Sequence, residues 1–97
     1  MGKENKKKSV IYFENGCVYE GDWDVNKKRH GFGIYKWKDG STYSGYWKDN
    51  QACGYGKLIH SDGDIYEGNW ELDKANGYGE YIQINGTIYK GYWKDDL

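Results

Sequence analysis

Apolar and polar positions alternate along most of this chain with a period of two, and one recurring pentad carries the alternation. Tyr-x-Gly-x-Trp occurs at Tyr19-Gly21-Trp23, Tyr43-Gly45-Trp47, Tyr66-Gly68-Trp70 and Tyr89-Gly91-Trp93, with successive tyrosines 24, 23 and 23 residues apart. Side chains of a strand point to alternate faces, so each pentad sets Tyr, Gly and Trp on one face. A Gly-x-Gly follows each of the first three pentads and opens a second strand over 34–37, 57–60 or 80–83. That strand returns Tyr35, Leu58 and Tyr81 to the glycine face. Asn15-Gly16, Asp39-Gly40, Asp62-Gly63 and Asn85-Gly86 then predict two-residue hairpin turns, whose central positions both need positive φ. No segment holds a 3.6-residue period without an internal glycine, so no helix is expected. The pattern predicts an all-β fold: a single-layer antiparallel meander of consecutive β-hairpins, thin and elongated.

Composition agrees once the repeat is seen. Leu, Ile, Val and Phe together number only 15 of 97 residues, a level at which chains begin to look disordered. Disordered chains lack aromatics and carry large net charge, whereas this one has 5 Trp, 11 Tyr and a net charge of −1. Fourteen of the 15 glycines fall in register with the repeat. A glycine leaves a hollow on the sheet face where a neighbouring ring lies against backbone. Aromatic rings packed on glycine therefore replace the usual aliphatic core.

The 23-residue pattern resembles the MORN repeat (membrane occupation and recognition nexus). The likeness divides the chain into a basic polar tail at 1–9, an atypical half-repeat at 10–18 that serves as a cap, full repeats at 19–42, 43–65 and 66–88, and a partial repeat at 89–97. The half-repeat departs from the pattern, with Lys7 and Ser9 where Gly-x-Gly should stand. The resemblance implies a twisted rod or gutter, with the Tyr, Gly and Trp of the four pentads as scaffold of an aromatic groove. It also implies settings such as cilia, flagella and membrane–cytoskeleton junctions, or a regulatory segment of a larger signalling protein.

Other chemistry finds little support. There is no long apolar run and no signal peptide, so a cytoplasmic location is expected, and two cysteines fit a reducing compartment. Cys53 and His30 share a repeat column, but one repeat is two strands, or ~10 Å, twice the ~4–5 Å that separates ligands on one zinc. Ser41 and Ser44 have no histidine placed beside them. The carboxylate pairs Asp62 with Asp64 and Asp95 with Asp96 read as turn and chain-end chemistry. Gly-x-Gly without a following helix makes no phosphate loop. A single-layer sheet is expected to offer no deep pocket, and neither enzymatic activity, a cofactor nor a metal is expected. Charge runs from +2 over residues 1–29 to −4 over 57–97, without the basic excess of a nucleic-acid binder. Lys6 stands where a myristoylation motif needs Ser or Thr.

Two surfaces remain as candidates for function. The face opposite the motif glycines carries Phe32, Tyr46, Tyr55, Tyr78 and Tyr92, candidate contacts for a protein partner. Lys6, Lys7, Lys8, Lys27, Lys28 and Arg29 are candidate contacts for anionic phospholipid, the last three in the one loop with an insertion. The expected function is a non-enzymatic structural or adaptor module that binds a protein partner in a cytoskeletal, ciliary or membrane-proximal assembly. Peripheral binding of anionic phospholipid is the alternative. The sequence stops directly after a pentad, an expected uncapped sheet edge that invites self-association.

Overall fold

A computed structural model describes residues 9–95, with side chains described from Val10 onward. Eight strands follow one another: β1 (Ser9–Tyr12), β2 (Val18–Trp23), β3 (Arg29–Lys36), β4 (Thr42–Lys48), β5 (Gln51–Ile59), β6 (Ile65–Glu71), β7 (Lys74–Ile82) and β8 (Ile88–Trp93). They form one open sheet in chain order, with every neighbouring pair antiparallel. The molecule measures 47 × 27 × 22 Å. A flat layer with its side chains would be about 10 Å thick, so the 22 Å depth requires a twisted and curled ribbon.

The register lines up a row of glycines straight across the sheet: Gly21, Gly33, Gly45, Gly56, Gly68, Gly79 and Gly91. The tyrosine of each full repeat lies over the glycine of the following strand. Tyr19 covers Gly33, Tyr43 covers Gly56 and Tyr66 covers Gly79, and in each case a Cβ added to the glycine would come within 2.1 Å of the tyrosine hydroxyl. Those hydroxyls donate to the carbonyls of Asp22, Tyr46 and Asn69. Trp47, Trp70 and Trp93 in turn donate through Nε1 to the carbonyls of Gly33, Gly56 and Gly79. Tyrosine and tryptophan rings alternate edge to face as a zipper, from Tyr19–Trp47 at 5.7 Å and Tyr43–Trp47 at 5.1 Å to Tyr43–Trp70 at 5.2 Å and Tyr66–Trp93 at 5.7 Å. Tyr19, Tyr43, Tyr66, Trp47 and Trp70 form the buried core with Ala52 and Ala75.

The two glycines of Gly-x-Gly differ in purpose, which the alternation alone did not separate. The second (Gly33, Gly56 or Gly79) is the floor beneath a tyrosine. The first (Gly31, Gly54 or Gly77) has positive φ and lies at a bulge, where three residues of the second strand oppose one of the pentad. The second strands also begin earlier than expected, at Arg29, Gln51 and Lys74.

Turn types are a correction. The Asn-Gly and Asp-Gly turns are three-residue loops, in which Gly16, Gly40, Gly63 and Gly86 donate to the carbonyls of Phe13, Trp37, His60 and Gln83. Only the glycine has positive φ, as in a type I turn followed by a glycine bulge. Asn15, Asp39, Asp62 and Asn85 instead accept from the backbone N–H two residues on, at 2.8–3.1 Å. The two-residue turns with positive φ at both positions lie inside the repeats, at Asp49-Asn50 and Leu72-Asp73. In the first repeat the insertion converts this inner turn to a three-residue loop closed between Asp24 and Lys28, with Lys27 at φ 64°.

Candidate functional site

The glycine face is concave, and its floor is the Tyr–Trp zipper. Two adjoining cavities of about 370 and 260 Å³ lie along it and share Leu58, Trp70 and Asp73 as lining. The larger is walled by Tyr35, Trp37 and Trp47, the smaller by His60, Tyr81 and Trp93. The expectation was of no deep pocket, and the two cavities are open stretches of one groove along the repeat axis. Inner turns close one side of it. Asn50 accepts from Arg29 N at 2.7 Å, and Asp73 accepts from Ala52 N at 2.7 Å, stapling each turn to the preceding repeat.

Arg29 is the exception in the floor. Ala52 and Ala75 occupy the same repeat position and are buried, whereas Arg29 extends over rings. Its guanidinium carbon lies 4.7 Å from the Trp47 centroid and 4.9 Å from that of Tyr35. Its side chain donates a hydrogen bond from Nη2 to the Asn50 carbonyl at 2.8 Å. Arg29 Nε is buried with no acceptor among the described residues, as is Nε1 of Trp23, the residue opposite it in the ladder. Arg29 is therefore the first residue of β3 and part of the groove, separated in role from the exposed loop lysines Lys27 and Lys28. Lys6, Lys7 and Lys8 lie outside the described residues.

Burial sets the chemistry of the tyrosines. The Tyr19 hydroxyl is pushed up to about 12, chiefly by burial and then by the Asp22 charge, with Arg29 acting in the other direction. Burial likewise raises Tyr43, and Tyr81 is raised by burial and by its hydrogen bond to Asp64 at 2.9 Å. These are groups held neutral. Cys17 is buried and Cys53 half-buried, both as free thiols.

The opposite face carries the other expected aromatics. Phe32 packs on Tyr46 and Tyr78 on Tyr92, each pair with centroids 5.6 Å apart. Tyr55 donates to Glu67. All five rings are exposed, Tyr92 the most at 84 %. In the fourth pentad Tyr89 is exposed, while Trp93 packs against the core and Gly91 ends the glycine row.

A model of the MORN repeat matches residues 19–42, 43–65 and 66–88, most of the chain. The chain belongs to the MORN repeat family. MORN repeats are non-catalytic modules that generally mediate protein or membrane interactions. The chain is also similar to alsin of human, mouse and rat, each 42 % identical over 41 residues. That stretch is 42 % of this chain and 2 % of each alsin, so the similarity concerns one short segment of long proteins. No helix among the described residues is long and apolar enough to cross a membrane.

Sequence reasoning named Arg29 only as a candidate lipid contact and missed its place in the groove, as it missed the staples Asn50 and Asp73. The signal for Arg29 is its alignment with Ala52 and Ala75 at 23-residue spacing, which sets it apart from the adjacent lysines.

Proposed function

We propose that this MORN chain is a non-enzymatic adaptor whose aromatic groove holds an extended segment of a protein partner. The observation that carries the reading is the pair of adjoining cavities, walled by partly exposed rings over a floor fixed by hydrogen bonds. Apolar grooves with a few placed polar groups are the usual form of peptide sites. The family resemblance supports a cytoskeletal, ciliary or membrane-proximal setting. Selection of linear peptides by display on the 97-residue chain tests the reading. Selected peptides should lose binding to Trp37→Ala and Leu58→Glu, variants that alter the groove wall while leaving the Tyr–Gly row intact. Undiminished binding to both variants would sink it.

A further inference from the structure

We infer that the groove reads a carboxylate: the side chain of an Asp or Glu in the extended partner segment, paired with Arg29. The inference rests on the groove reading above and adds the chemistry of the occupant.

Arg29 forms no ion pair among the described residues, although it lies in a groove walled by aromatic rings. The Trp47 and Tyr35 rings approach its guanidinium, and Nη2 is tied to the Asn50 carbonyl. A guanidinium covered by rings still offers its N–H edge, the direction from which a carboxylate forms paired hydrogen bonds. The other repeats have Ala52 and Ala75 at this position, so the charge is not required to build the floor. It is also costly there, because Nε is buried without an acceptor among the described residues.

The lining of the same cavity fixes the charge of the occupant. Among the described residues, Asp73 is the one acidic residue lining it, and its Oδ1 already accepts a hydrogen bond from Ala52 N. One cation and one carboxylate suit a single negative charge near Arg29 and disfavour a dianion. Arg29 and Ala52, the residue beside Asp73, are equivalent positions one repeat apart, or ~10 Å at about 4.8 Å per strand. An extended segment rises about 3.3 Å per residue with alternate side chains on one face, so a second acid two or four residues from the first, about 7 or 13 Å along, would share its face, lie near Asp73 and be repelled. The favoured segment carries one acid at a fixed position, apolar residues on the same face for Leu58 and Trp70, and no acid two or four positions along.

Display selection of twelve-residue linear peptides on the 97-residue chain tests this, followed by calorimetry of the best synthetic peptide. Expected are Asp or Glu at one fixed position and a loss of about tenfold or more in affinity when that acid becomes its amide, as for a hydrogen bond to a charged group. Arg29→Ala restores the residue type of the other repeats, so this variant should fold, as checked by its thermal melt. It should bind the acid and amide peptides equally. Peptides with no fixed acid, or Arg29→Ala retaining the preference for acid, would overturn the carboxylate while leaving the groove standing. Tighter binding of a phosphoserine version would also overturn it. Selected peptides indifferent to Trp37→Ala and Leu58→Glu would overturn both groove and carboxylate.

Discussion

The hydroxyl of Tyr43 occupies the space where a side chain on Gly56 would begin, 2.1 Å from the Cβ that any other residue would place there. Tyr19 stands in the same relation to Gly33, and Tyr66 to Gly79. Ring and glycine are thus one packing unit, repeated along the ribbon, and the groove floor is made from it.

Gly56→Ala should therefore be severe. The added methyl displaces Tyr43 from its hydrogen bond to the Tyr46 carbonyl and opens the zipper at Trp47 and Trp70. A cost of about 3 kcal/mol is expected for such overpacking. Gly54→Ala meets only an ordinary 3.6 Å contact with Tyr46, and its penalty comes from φ +91°, about 1–2 kcal/mol. Urea midpoints of the two variants should fall in that order.

The tryptophans differ in their N–H groups. Trp47→Phe removes a buried hydrogen bond to the Gly33 carbonyl, whereas Trp23→Phe removes a buried N–H that has no partner among the described residues. The first substitution should cost about 1 kcal/mol more than the second, apart from ring size. Chemical denaturation of both variants measures the difference.

Leu72 holds φ 52° at the first position of a two-residue turn, a conformation that costs a side chain such as leucine about 1–2 kcal/mol and asparagine less. Its side chain is exposed. Leu72→Asn should raise stability by about 0.5–1 kcal/mol, seen as a higher thermal midpoint.

Tyr19 contributes to the alkaline limit. Its folded value of about 12 lies above the unfolded value of 10.0, so the folded state keeps the proton longer. The stability linked to this group is whole below pH 10 and is lost as pH rises from 10 toward 12. Spectrophotometric titration of wild type and Tyr19→Phe should show one tyrosine fewer titrating late in the variant.

The strands, their face assignments and the Tyr–Gly packing were legible because period two leaves one arrangement for Tyr, Gly and Trp. Turn types were not, because Asp-Gly suits both a two-residue turn and a three-residue loop. Hydrogen bonds from Gly40 to Trp37 and from Ser41 to Asp39 decide between them in the structure. The bulge at Gly54 was hidden because a glycine for positive φ and one for close approach look alike in sequence. The curl that produces the groove comes from twist summed over eight strands, which no local pattern encodes. Arg29 read as a loop charge because the one-residue insertion before it obscured its equivalence to Ala52.

The most direct test follows the five indole N–H signals by NMR as a selected peptide is added to the labelled chain. The account predicts that Trp37, Trp47 and Trp70 shift together, while the rings of Tyr46, Tyr55 and Tyr92 on the opposite face do not. Shifts confined to Phe32, Tyr46, Tyr55, Tyr78 and Tyr92, with the indoles unmoved, would contradict it and place the binding surface on the other face.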